Sequence, residues 1–147
     1  MKPRRTASAS RRRRAPRALR ATAFLTLSAL LVEFLLGVAT NLYVTVPAHQ
    51  PWTRAHPALL LYAHGAVGLV LLANSVVFQA RAIDLGSRHV VRLGAVGVTG
   101  TGVASASGAL FVSGGGVSDI ASLVMSVGFA LAVLAYAAVL LGPSRPR

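Results

Sequence analysis

The sequence predicts an all-α protein, a bundle of four transmembrane helices. Three observations support this: the composition is apolar, four apolar stretches are long, and most of the charge lies at one end. Of the 147 residues, 54% are hydrophobic and only 12% are charged, whereas a typical soluble domain has about a quarter of its residues charged. The predicted class is therefore an integral membrane protein.

Four apolar stretches have about the 20 residues that a helix needs to cross the hydrocarbon core of a bilayer. The predicted spans are residues 21–44, 58–79, 90–112 and 120–141. Proline and glycine mark their limits: Pro57 precedes the second span, and Gly142 and Pro143 follow the fourth. The spans together form one membrane domain, 21–141, followed by a short tail, 142–147.

The N-terminal arm, residues 1–20, carries nine of the fifteen basic residues. Blocks of like charge are usually disordered, so we expect a disordered arm. Basic residues beside an anionic leaflet each contribute about 1 kcal/mol to membrane attraction. We expect contact with anionic lipid headgroups through Arg11, Arg12, Arg13, Arg14, Arg17 and Arg20. The arm has no aromatic or folded readout element, so nucleic acid is not an expected partner.

The distribution of arginines predicts the topology. Fourteen of the fifteen basic residues lie in the arm, in the segment between the second and third spans including Arg92 at the start of the third, or in the tail, and Arg54 alone lies on the opposite side. Because Lys and Arg collect in cytoplasmic loops, both termini are expected in the cytoplasm, with the protein in the cell membrane. Aromatic belts are then expected at Tyr43, Trp52 and Phe111 outside and at Phe78 and Tyr136 inside.

A cleaved secretory signal is the alternative interpretation of the N-terminus. An arginine-rich segment, an apolar stretch and "GVA" at residues 37–39 would allow cleavage after Ala39. The apolar run continues past that point, and Glu33 interrupts it, so an uncleaved first span is favoured.

Glu33 and His64 are the ionisable residues deepest in the predicted spans. With about 1.5 Å of rise per residue, the two fall at a similar depth in the first and second spans. A lone charge at that depth costs about 2.5–3.5 kcal/mol on insertion scales, so each should face the interior and find a partner. The sequence predicts that Glu33 and His64 form an intramembrane pair.

Other polar residues are expected to support this pair at the same depth. The predicted layer comprises Asn41, Thr101, Ser105, Ser122 and Ser126. The sequence thus predicts a polar interior in the outer half of the bundle and a mostly dry inner half.

Several roles are open for these residues. The favoured one is structural, since membrane helices associate through small residues and interhelical hydrogen bonds. Haem with His64 as an axial ligand, or a proton or small-solute pathway using Glu33 and His64, are alternatives. A zinc or copper site from His49, His56 and Asp119 has weaker support, because no recognised metal-binding spacing is present.

No catalytic motif is present in the sequence. There are no paired carboxylates on one helix face and no nucleophile with an adjacent base, so we do not expect an enzyme. There is no cysteine, which excludes disulfides, thiolate metal sites and covalent c-type haem attachment. We expect no resident cofactor or metal. A structural or accessory role is expected, as a homo-oligomer or with another membrane protein.

Four stretches resemble a known family. They are "NLYVTVP" (41–47), "AHGAVGLVLL" (63–72), "SASGALFV" (105–112) and "SDIASLVMSVGFALAVLAY" (118–136). The chain from residue 30 to 141 is similar to uncharacterised four-helix membrane proteins of high-GC Gram-positive (actinobacterial) bacteria. The resemblance implies a fold and no reaction. It also implies an asparagine where this chain has Ser107.

Overall fold

The computed structural model describes the backbone of residues 5–142 and the side chains of residues 18–142. The described residues form five helices: α1 (Arg5–Tyr43), α2 (Pro51–Arg54), α3 (Ala58–Leu85), α4 (Arg88–Ser113) and α5 (Asp119–Leu141). We call the end of the bundle that carries Arg20 the inner end and the end that carries α2 the outer end.

Four of the helices are long and apolar enough to cross a membrane. They are Ala18–Tyr43 of α1 and the whole of α3, α4 and α5. This confirms the predicted all-α four-helix architecture and defines the chain as a multi-pass membrane protein. The second span is longer than predicted: α3 continues past Gln79 to Leu85, where Gly86 ends it with a left-handed φ of 70°.

The four spans form a ring in chain order. Helix α1 packs against α3 and α5, and α4 packs against the same two helices from the opposite side. Sequential neighbours are antiparallel, as short connections between spans require. The interior is therefore lined by one face from each span.

The crossing of α4 and α5 brings two backbones into contact. A Cβ atom on Gly100 would lie 2.6 Å from the carbonyl oxygen of Gly128, and one on Gly128 would lie 2.7 Å from the carbonyl oxygen of Gly100. Only glycine at both positions allows this approach. Such packing of small residues is expected in a membrane, because the hydrophobic effect does not drive helices together in lipid.

The main buried cluster lies in the inner half of the bundle. It includes Leu30, Leu71, Phe78 and Tyr136. The Phe78 and Tyr136 rings meet edge to face with centroids 5.2 Å apart, and both side chains are fully buried. The prediction that these two residues belong to an inner aromatic belt is therefore wrong. They lie on the interior faces of α3 and α5. Their distance from the helix ends gives their depth but not the face of the helix on which they lie.

The loop between α1 and α3 folds over the outer end of the bundle. Thr45 and His56 exchange two backbone hydrogen bonds of 2.9 and 3.1 Å. The Trp52 indole donates to the Ser113 hydroxyl at 3.3 Å, and the Tyr62 hydroxyl donates to the Trp52 carbonyl at 2.5 Å. The loop is thus fixed to α3 and α4.

Helix α1 begins at Arg5, so the backbone of residues 5–20 is helical where the sequence predicts disorder. Arginine and alanine are strong helix formers, and the transmembrane part of α1 supplies a nucleus from which the helix extends. The predicted lipid contacts of five arginines lie outside the described side chains: Arg11, Arg12, Arg13, Arg14 and Arg17. The tail beyond Gly142 also lies outside the described residues.

Candidate functional site

The structure brings Glu33 of α1 and His64 of α3 into contact. The His64 Nδ1 atom lies 3.0 Å from Glu33 Oε1. The side chains are 12% exposed for Glu33 and 24% exposed for His64. The pair lies within two membrane-spanning helices, so each group partly offsets the cost of placing the other in an apolar surrounding.

The contact between these two groups does not have the geometry of an aligned hydrogen bond. Within the described part of the chain, His64 Nδ1 and Glu33 Oε2 are buried atoms with no hydrogen-bond partner of good geometry. The Oε1 atom therefore approaches off the axis of the ring N–H direction. The second carboxylate oxygen retains its full accepting capacity.

Two glycines make room for the pair. A Cβ on Gly68 of α3 would lie 2.9 Å from Glu33 Oε1, and a Cβ on Gly37 of α1 would lie 3.2 Å from His64 Cε1. Each ionisable side chain is followed four residues later by the glycine that receives the partner from the other helix. Since residues four apart share a helix face, the antiparallel pairing of α1 and α3 produces this reciprocal fit.

The predicted supporting layer does not converge on the pair. Asn41 is exposed, and Ser126 is exposed and donates to the Ser122 carbonyl of its own helix at 2.9 Å. Thr101 is buried, but its hydroxyl lies 3.3 Å from that of Ser75. Ser75 is about three helical turns closer to the inner end of α3 than His64. Ser105 and Ser122 are partly buried, and no contact places either beside the pair.

The error came from depth counting. Helix α4 runs from Arg88 to Ser113, so residues near 105–107, rather than Thr101, lie as far from its outer end as the pair does on α1 and α3. Ser107 is the buried hydroxyl residue at that level, with 7% exposure. It was noted in the sequence only as a departure from the family pattern. Ser126 satisfies its hydroxyl locally, as serines in membrane helices often do.

The inner half of the bundle contains more polar contacts than predicted. The Asn74 amide of α3 donates to the Thr26 hydroxyl of α1 at 2.6 Å, and Arg81 Nη1 donates to the Thr22 hydroxyl at 2.7 Å. The two threonines also donate to carbonyls one turn earlier in α1. A line of polar contacts thus follows the α1–α3 interface to the inner end.

A second inner polar group lies between α3, α4 and α5. The Ser75 and Thr101 hydroxyls are 3.3 Å apart, and Thr101 donates to the Gly97 carbonyl at 2.8 Å. The Tyr136 ring lies against Gly97, where a Cβ would be 2.6 Å from the ring carbon that carries the hydroxyl. Gln79 lies against α4 one turn closer to the inner end. The polar side chains of α3 and α5 therefore fill space that α4 glycines leave open.

Two leucines separate the outer pair from these inner groups. Leu30 and Leu71 belong to one buried cluster, and each is 2% exposed. On α1, Leu30 lies between Thr26 and Glu33. On α3, Leu71 lies between Gly68 and Ser75. From the outer end to the inner end, the interior faces of α1 and α3 are thus polar, then apolar, then polar again.

The remaining predicted contacts fall elsewhere. Arg20 Nη2 donates to the Leu140 carbonyl at 2.6 Å, so this arginine joins α1 to α5 at the inner end in addition to being exposed there. His49, His56 and Asp119 are exposed, and no group of three metal-binding side chains occurs among the described residues.

Comparison with protein-family models, with curated proteins and with solved structures finds no match. The fold and the site together define a four-helix membrane bundle with an interior Glu–His pair. What the protein does must be argued from these residues.

Proposed function

We propose that this chain is a structural or accessory protein of the cell membrane, with both termini in the cytoplasm and no catalytic activity. The asymmetry of the arginines supports the orientation, because Arg54 alone lies at the outer end. The order in which the four spans follow one another supports placing the two termini on one side.

The observation that carries the structural role is the reciprocal fit of Glu33 and His64 against Gly68 and Gly37. A carboxyl–imidazole contact and two close approaches to glycine occur at one level of the α1–α3 interface. Sliding α1 along α3 by one turn would separate Glu33 from His64. It would also move each of these side chains away from the glycine that makes room for it. The pair therefore fixes the register of the two helices.

A double-mutant cycle tests this role. Glu33→Gln, His64→Ala and the double variant are compared by unfolding in mixed detergent micelles. We expect each single variant to be less stable and the double variant to show a coupling energy of about 0.5–3 kcal/mol, the range for residues in direct contact. Additive effects would contradict a joint structural role.

The outward surface supports a lipid or protein partner. Large apolar side chains on α1, α3 and α5 are exposed, among them Leu35, Leu69 and Leu134. In a membrane these faces contact acyl chains or another helix bundle, either a second copy or a different membrane protein. The basic arm would hold the inner end near anionic headgroups.

Haem binding is the second candidate, because His64 has the carboxylate partner that orients many ligating imidazoles. Nδ1 faces Glu33, so Nε2 would be the ligating atom. That atom lies 3.7 Å from the Cβ position of Gly37, so the backbone of α1 covers that side of the ring. An absorption spectrum after expression with haem available separates the two functions: haem binding through His64 requires a Soret band that is lost in His64→Ala.

A further inference from the structure

Buried polar atoms without aligned hydrogen-bond partners form two groups along the interior of the described bundle. The outer group is Glu33 Oε2, His64 Nδ1 and Thr40 Oγ1. The inner group is Gln79 Oε1 and the Tyr136 hydroxyl. Leaving a buried polar atom unpaired costs about 1–3 kcal/mol, and ordered water commonly satisfies such groups. Both positions therefore hold buried polar atoms that the protein leaves without a partner.

The apolar segment between the Glu33–His64 pair and the inner contact of Asn74 with Thr26 is short. Thr26 and Glu33 are two turns apart on one face of α1, which corresponds to about 10 Å of helix rise. Leu30 lies between them, and Leu71 of α3 belongs to the same buried cluster. A constriction of this kind, closed by two leucines, can block water when dry and pass it when wet.

The polar contacts between α1 and α3 in the inner half reach the surface of the bundle. Asn74 contacts Thr26, and Thr22 contacts Arg81, whose side chain is exposed at the inner end of α3. On the outer side, the His64 side chain is 24% exposed, although it lies on the face of α3 that contacts α1. The inner side of the leucine constriction thus has a line of polar contacts to the surface, and its outer side has the Glu33–His64 pair.

We propose that the bundle carries protons across the membrane, with Glu33 as the proton-binding group and Leu30 and Leu71 as the gate. A proton from water beside His64 bonds to a Glu33 carboxylate oxygen and forms a carboxylic acid. When the leucine constriction is wetted, that O–H bond breaks and the proton passes to water beside Asn74 and Thr26. Nothing is oxidised or reduced, and the carboxylate is regenerated. Carboxylate and histidine side chains serve this purpose in other membrane proteins.

The experiment measures proton flux into vesicles that contain the purified full-length chain and a pH-sensitive dye. A potassium gradient with valinomycin supplies the driving voltage. The wild-type protein is expected to acidify the vesicle interior faster than protein-free vesicles do. Glu33→Gln is expected to reduce the flux to the protein-free level, and Glu33→Asp is expected to retain part of it.

Two leucines on α3 provide a matched pair for the gate. Leu71 is 2% exposed in the constriction, whereas Leu69 is 67% exposed toward lipid. Leu71→Ala is expected to raise the flux severalfold, and Leu69→Ala is expected to leave it unchanged. The double variant Glu33→Gln/Leu71→Ala should return to the protein-free level, which distinguishes a path through the carboxylate from a general leak.

Three results would overturn the proposal. They are a wild-type flux equal to that of protein-free vesicles, a flux that persists in Glu33→Gln, and equal effects of Leu71→Ala and Leu69→Ala. Each variant is compared only after it elutes from size-exclusion chromatography as the wild type does. The outcome is separate from the double-mutant cycle, because a pair that only fixes helix register gives coupling without flux.

Discussion

Gly100→Ala tests the closest helix crossing in the bundle. The new Cβ would lie 2.6 Å from the Gly128 carbonyl oxygen and 3.0 Å from the Ala132 nitrogen. Both are backbone atoms, so no side-chain rotation relieves the overlap. Ordinary van der Waals contact begins at 3.4 Å, so α4 and α5 must separate locally by about 0.8 Å, and a gap of that size forfeits a quarter to a half of the dispersion energy of the atoms involved.

We expect Gly100→Ala to lower the free energy of unfolding by about 1–3 kcal/mol, the usual cost of overpacking. The assay is unfolding in mixed detergent micelles, followed by circular dichroism. Gly65→Ala is the matched control, because a Cβ at Gly65 has no atom within 4 Å, and its effect should remain within about 0.5 kcal/mol. Gly128→Ala should resemble Gly100→Ala, and the double variant should cost less than the two single effects together. Equal stability of Gly100→Ala and Gly65→Ala would refute the close crossing.

Two further predictions concern the inner polar line and the topology. Asn74→Ala, which removes the contact to Thr26, should lower the free energy of unfolding by about 0.5–2 kcal/mol in the same assay; exposed Asn41→Ala is the control, and an equal effect would contradict a buried role for Asn74. For topology, the absence of native cysteine allows single-cysteine labelling with a membrane-impermeant maleimide. Thr53→Cys in α2 should react in intact cells and Asp84→Cys near the end of α3 only after permeabilisation, and the reverse pattern would place the termini outside.

The sequence predicted the four spans because each is a long apolar run bounded by proline, glycine or arginine. It also singled out Glu33 and His64, since an ionisable residue in such a run has few ways to be accommodated. The agreement in depth between these two residues depended only on counting from the ends of two adjacent helices. That count was accurate for α1 and α3, whose shared loop lies at the outer end.

The inner polar contacts could not be predicted in the same way. A threonine such as Thr26 can satisfy its hydroxyl on its own helix, so its presence in an apolar run does not require a partner. Its pairing with Asn74 depends on the rotation of α1 against α3. Thr101 lies on the inner side of the pair's level because four to six residues of α4 separate it from residues 105–107, although the limits of α4 are close to those predicted. The burial of Tyr136 depends on the space above Gly97, which only the packed helices reveal.

The contact between Glu33 and His64 can be measured directly, because Glu33 is the only glutamate in the chain. Protein with ¹³C-labelled glutamate and ¹⁵N-labelled histidine, reconstituted in bilayers, gives a solid-state NMR dipolar coupling that reports on this one carboxyl carbon. The 3.0 Å contact from Nδ1 to Oε1, with a C–O bond of about 1.2 Å, predicts a carbon–nitrogen distance of about 4 Å. The corresponding dipolar coupling should be absent in His64→Ala. A glutamate signal with no coupling to histidine nitrogen in the wild-type protein would contradict the pairing on which this account depends.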